Sequence, residues 1–211
     1  MGDFYISENR KWYPLGATRV RGGCHFATTA GKKSCVLVLY RAGKTAPVQK
    51  ISFREEDKTG DVWNMTLMGG DFQGLEYAYE ADGELQADPY GTSFCGREKW
   101  GSLTQAKKPM RTPLDQEEFN WEGDRPLETP YEDTVIYRLH VRGFTRHSSS
   151  GTEEHGTFSA IREKIPYLKE LGITAVELLP PVEFEEVMIP EGAGKHPYVK
   201  EEPTGKINYW G

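Results

Sequence analysis

The sequence predicts an antiparallel β-sandwich followed by the opening of an α/β domain, on three observations. Between Tyr13 and Asp82, short β-rich segments recur and are punctuated by Gly-Gly and Asp-Gly pairs, the spacing of an antiparallel sandwich. Within them, Trp63, Met65 and Leu67 alternate with Val62, Asn64 and Thr66, and Leu75, Tyr77 and Tyr79 alternate with Glu76, Ala78 and Glu80. That period of two predicts strands with one buried face. From Asp133 to Pro181 the pattern changes to apolar run, helical period, apolar run, which is a βαβ unit.

Taken in order, residues 1–11 read as a polar leader and residues 12–93 as the sandwich. The segments HFATT, SCVLVLYR, VQKISFRE, DVWNMTLM and GLEYAYEAD supply its strands. Residues 94–132 read as an irregular linker with one or two short strands, since Pro109, Pro113, Pro126 and Pro130 interrupt any long period. Residues 133–211 open the second domain. There Val135, Ile136, Tyr137, Leu139 and Val141 form the first strand. Phe158, Ile161, Ile165, Leu168 and Leu171 mark one helical face, and residues 173–179 form the second strand. Two nearly continuous apolar strands joined by an amphipathic crossover predict a parallel sheet covered on both faces.

Composition narrows the function classes. A net charge of −6 leaves no basic footprint for nucleic acid or an anionic membrane. No apolar stretch has the length of a signal peptide core or a membrane span. Three cysteines, Cys24, Cys35 and Cys95, have neither metal-ligand nor redox spacing, and their odd number argues against a disulfide framework. A reducing cytoplasm is the expected location. The five histidines show no metal-ligand spacing, no phosphate cradle or nucleophile elbow is present, and no cofactor is expected.

The words VIYRLHVRGFT (135–145), HGTF (155–158), YLKELGITAVELLPPVEF (167–184) and NYWG (208–211) resemble the opening of the catalytic barrel of glycoside hydrolase family 13. The best match within it is the debranching group: pullulanases, isoamylases and glycogen debranching enzymes. In the first half, YPLGAT (13–18), HFA (25–27), VLVLY (36–40), DVW (61–63), GLEYAYEADG (74–83) and DPYG (88–91) resemble carbohydrate-binding module family 48. The two resemblances imply an immunoglobulin-like β-sandwich followed by the first β/α units of an incomplete (β/α)8 TIM barrel. They imply a retaining α-1,6-glucan hydrolase acting on glycogen, starch or pullulan, with the remainder of the barrel as partner.

The catalytic Asp and Glu of that family follow later strands, so none is expected before Gly211. The stretch from Asp133 onward is far shorter than the roughly 250 residues of a closed barrel, and this chain alone is expected to be inactive. What it contributes is the rim of the substrate site, in the first two βα loops. Tyr209 and Trp210 are expected beside the bound glucan, because the resemblance places a sugar-stacking Tyr directly after NYWG. Strand alternation puts His140 and Arg142 on one face, with either a substrate contact or a buried hydrogen bond as their role. Trp63 and Trp100 are the aromatic candidates for a glycan platform on the sandwich. The aromatic that follows the Asp-Gly turn in strong glycogen binders is replaced here by Glu84 and Leu85, which favours a structural module. Two other readings remain open: a non-catalytic glycan-binding or regulatory protein, and the front of a branching transferase, which fits HVRGFT less well.

Overall fold

The computed structural model describes residues 4–7, 11–106, 108–115, 119–184, 186–187 and 208–209. The chain divides into two compact units, Met1–Glu118 with Val187–Lys206, and Phe119–Glu186 with Ile207–Gly211.

The first unit contains β1 (Tyr5–Ser7), β2 (Gly16–Val20), β3 (Gly23–Thr28), β4 (Cys35–Arg41), β5 (Pro47–Ser52), β6 (Lys58–Thr59), β7 (Val62–Met68), β8 (Leu75–Ala81) and β9 (Glu84–Gln86), then a short helix α1 (Leu103–Ala106) and β10 (Thr112–Pro113). One antiparallel sheet runs β1-β7-β3-β2 with β6 beside β7, and the other runs β10-β8-β4-β5 with β9 beside β8. The sheets share one core. Cys24, Phe26, Trp63, Met65 and Leu67 of the first meet Cys35, Leu37, Leu39, Tyr77 and Tyr79 of the second. Phe26 and Tyr77 lie edge to face at 5.3 Å, the arrangement that aromatic quadrupoles prefer. The alternating residues of β7 and β8 therefore place their large apolar members inward.

Two expectations for this half change, those for the leader and for burial. The stretch read as a polar leader carries β1, and Phe4 packs on Phe72 at 4.9 Å. In the stretch read as a linker with one or two short strands, Cys95 bridges Arg111 and β10 extends the second sheet beyond β8. Burial is also not confined to one face of each sheet. Val38, Tyr40 and Ala78 form a second apolar cluster behind β4 and β8. Behind β3 and β7, His25, Asn64 and Thr66 are buried as well. Alternation with polar residues suggested a wet outer face, but here His25 Nδ1 lies 2.9 Å from Thr66 Oγ1 and Asn64 Nδ2 donates to Thr59 Oγ1 at 3.3 Å, so local hydrogen bonds offset part of the cost of burial.

Burial, first, and the Lys11 charge, second, lower the His25 pKa, with a backbone hydrogen bond to Lys11 offsetting part of the effect. A histidine that resists protonation when folded binds fewer protons than in the unfolded chain. Stability is thus full above pH 6.5 and falls as pH drops below it toward the lower folded value. The slope is at most about 1.4 kcal/mol per pH unit. Urea unfolding at pH 7 and pH 5 should show this loss, and His25→Gln should flatten it. An equal slope in the variant would assign the effect elsewhere.

Across the hairpin from β8 to β9, Asp82 and Gly83 both have positive φ, 51° and 89°, as a tight turn matched to strand twist requires. The Asp82 carboxylate accepts the backbone N–H groups of Lys32, Lys33 and Ser34 at 2.8–2.9 Å. Those bonds hold its pKa below the usual carboxylate value.

The second unit contains β11 (Ile136–Leu139), α2 (Val141–Thr145), α3 (Phe158–Glu163), α4 (Ile165–Glu170) and β12 (Ala175–Leu178). The two strands pair in parallel, Ile136 opposite Ala175 and Leu139 opposite Leu178, so the βαβ unit read from the sequence is present. Its crossover is two short helices rather than one. Pro166, in the first turn of α4, has no N–H to give the carbonyl four residues back, and the helix breaks at Lys164. The expected burial of both strand faces does not hold either. Ile136 is 59% exposed, and Val176, Phe158, Ile165 and Leu171 are exposed with it. Among the described residues this sheet has two strands, enough to bury Leu139, Ala160 and Leu168 but not the outer positions.

Candidate functional site

The first βα loop and the residues around Tyr209 meet at the C-terminal end of β11. The strand stops at Leu139 because His140 caps a helix. With extended φ and ψ of −95° and 125°, His140 is the N-cap of α2, and its Nδ1 accepts the Gly143 N–H at 3.0 Å. Val141 and Arg142 are therefore helical, and the expectation that His140 and Arg142 share a strand face is corrected. Alternation cannot continue once a side chain captures the backbone N–H three residues on.

That bond fixes the imidazole tautomer. Nδ1 accepts, so the proton of the neutral ring sits on Nε2, which donates to the Tyr209 carbonyl at 2.7 Å. The His140 and Tyr209 rings stack at 4.3 Å with an interplanar angle of 14°. Asn208 donates its N–H to the Glu186 carbonyl at 2.7 Å, tying this segment to the second βα loop. Tyr209 keeps 37% of its surface exposed.

Behind the cap, a buried hydroxyl organises the first loop. Thr145 Oγ1 accepts the Gly156 N–H at 2.9 Å, and its carbonyl accepts from Ser150 Oγ at 3.0 Å. Ser150 Oγ and Thr152 Oγ1 lie 3.1 and 3.3 Å from His155 Nδ1. Half-buried Arg142 packs closely on Gly156, where an added Cβ would stand 3.3 Å from its Cγ, closer than an ordinary contact. The loop is thus held by hydrogen bonds among its own side chains and backbone.

Of the sequence candidates, the structure brings His140 and Tyr209 into direct contact and places Arg142 in the first turn of the helix that His140 caps. Trp210 lies outside the described residues, as does Glu185 of the second loop. Trp63 is corrected as a glycan platform. On inner strand β7 it is 2% exposed, donates its Nε1–H to the Gly31 carbonyl at 2.7 Å and lies under the Lys58 ammonium at 4.4 Å, so no pyranose reaches its face. Trp100 is half-buried in the turn before α1. Gly143 was missed. Its signal was its place three residues after a histidine that could cap.

The first unit holds a cavity of about 230 Å³ that the sequence did not suggest, lined by Gly43, Lys44, Glu76, Cys95, Glu98 and Arg111 among others. Arg111 stacks on Tyr40 at 3.6 Å and reaches the Lys44 carbonyl at 2.6 Å and Glu76 Oε2 at 3.2 Å, while the Gly43 N–H donates to Glu76 Oε1 at 3.0 Å. Among the described residues no group of His, Cys, Asp and Glu could hold a metal ion, and no helix is long and apolar enough to cross a membrane.

Comparison with known proteins finds relatives along almost the whole of the chain. The chain is a homologue of isoamylases and glycogen debranching enzymes. It is 32% identical to the chloroplastic isoamylase 1 of Arabidopsis thaliana, over 99% of this chain and 28% of the relative. It is 33% identical to the glycogen operon protein GlgX homolog of Haemophilus influenzae, over 73% of this chain and 25% of the relative. Among solved structures, a pullulanase of Paenibacillus barengoltzii in complex with maltohexaose and α-cyclodextrin matches 86% of this chain and 28% of its own, with TM-score 0.64 and 26% identity. The chain thus spans little more than a quarter of the proteins it resembles. No family model matches it.

Proposed function

We propose that the chain is the N-terminal portion of an α-1,6-glucan debranching hydrolase, in which an immunoglobulin-like, carbohydrate-binding-module-like sandwich precedes the first β/α units of a (β/α)8 barrel. The observation that carries this reading is the likeness to an isoamylase along 99% of the chain. The parallel pairing of β11 and β12 supports the barrel, since parallel strands joined by helices are its repeating unit. The maltohexaose and α-cyclodextrin bound by the pullulanase relative support an α-glucan ligand.

The catalytic carboxylates of a retaining mechanism, about 5 Å apart across the scissile bond, would come from strands beyond Gly211. His140, Arg142, Tyr209 and Trp210 would then belong to the substrate rim, and the sandwich would buttress the barrel. The three free thiols support a reducing compartment, and cytoplasmic placement is part of this proposal. Burial pushes Cys24 and Cys35 up to about 12, which keeps them protonated and inert.

The test is the full-length protein on pullulan and glycogen. Release of unbranched chains, with retention of the anomeric configuration followed by NMR, is the expected result, while the 211-residue chain releases none. Transfer products carrying new branch points would replace hydrolase with branching enzyme. Retention on glycogen without cleavage would replace both with a binding protein.

A further inference from the structure

We infer that His140 and Gly143 form a positioning pair for Tyr209, and that a glycine is required at 143 because the Tyr209 hydroxyl occupies the space a side chain would take. The geometry stands by itself, and its consequence for glucan binding rests on the function proposed above.

Gly143 lies in the first turn of α2, and its φ lies outside the left-handed region that glycine alone adopts freely, so its backbone does not call for glycine. A glycine in a helix costs about 1 kcal/mol relative to alanine. The compensating feature is steric. A Cβ on Gly143 would overlap the Tyr209 hydroxyl oxygen, yet it would stand 3.5 Å from Tyr209 Cζ, an ordinary contact distance. Only the hydroxyl is in the way.

His140 completes the arrangement by covering one face of the Tyr209 ring and holding its carbonyl, while its own orientation is set by the Gly143 N–H. The helix turn therefore fixes the imidazole, and the imidazole fixes the tyrosine. Because Asn208 is tied to Glu186, a displaced Tyr209 would shift the rim where the second βα loop returns. His140 acts through Tyr209 and need not touch sugar.

The experiment uses the full-length protein with Gly143→Ala, Tyr209→Phe and both together. It reads KM and kcat on pullulan, and separately the ¹⁵N shifts of the His140 ring nitrogens. Gly143→Ala should raise KM about tenfold with a smaller change in kcat, and the His140 signals should lose the pattern of a fixed Nε2–H tautomer. The double variant should return both readouts to those of Tyr209→Phe alone, a coupling that a purely helical role for Gly143 cannot produce. A Gly143→Ala protein unchanged in both readouts, or a double variant as impaired as Gly143→Ala, would overturn the inference. If the wild-type protein does not act on glucan, the proposed function fails, and the tautomer signals in the same variants still decide the clamp.

Discussion

Replacing Trp63 with alanine should cost about 3–5 kcal/mol of folding stability, the range for emptying a buried aromatic site. The indole sits at the inner face of β7 among Phe53, Tyr79 and the surrounding core, with Phe53 at 6.3 Å. Removing it opens a cavity in a close-packed interior and also leaves the Gly31 carbonyl without its indole donor. Urea unfolding followed by tyrosine fluorescence would measure the loss. Trp63→Phe should recover more than half of it, because the apolar volume is largely kept and the hydrogen bond is not. A loss under about 1 kcal/mol for the alanine variant would mean that the ring is not packed, and would reopen its role as a surface platform.

Cutting the Arg111–Glu76 pair at one end should be nearly as damaging. The two side chains are 13% and 11% exposed and meet at 3.2 Å, so Arg111→Met leaves the largely buried Glu76 carboxylate without its counter-charge. Removing one partner of a buried ion pair costs about 3–5 kcal/mol, whereas replacing both by neutral groups costs far less. Arg111→Met with Glu76→Gln should therefore be more stable than Arg111→Met alone. Loss of the guanidinium from the Tyr40 face adds to the cost in both variants, so the comparison between them isolates the stranded charge. Equal stability of the single and double variants would show that Glu76 is adequately solvated without Arg111.

Much of the fold was legible because period and turn chemistry are local. Trp63, Met65 and Leu67 announced a buried face, the Asp82-Gly83 turn announced a hairpin, and the change of period after Asp133 announced a βαβ unit. What escaped depends on partners remote in sequence. Nothing around His25, Asn64 or Thr66 signals that a polar strand face is buried, because the hydrogen bond from His25 reaches a residue on another strand. The same applies at the candidate site. His140 was singled out by its type and its surrounding words, but its cap to Gly143 and its stack on Tyr209, 69 positions away, are decided by folding. Aromatic residues were the least readable class. Trp63 was a candidate for a sugar platform by its type although its alternation with Met65 and Leu67 pointed to the core, and its register on an inner strand decides for the core.

The order of strands in the sandwich also sets a timetable for synthesis. β1 finds its place only beside β7, so the N-terminal residues must wait for Met68 before they can pair. The second sheet is complete only when Thr112 and Pro113 have joined β8. Closing such distant pairings is slow compared with forming local helices. All of them nevertheless lie upstream of Ile136, where β11 begins. A ribosome that has just released Pro113 has therefore delivered every described strand of the sandwich before the first residue of the parallel pair is made, and the two sheets can pair while the rest of the polypeptide is still emerging.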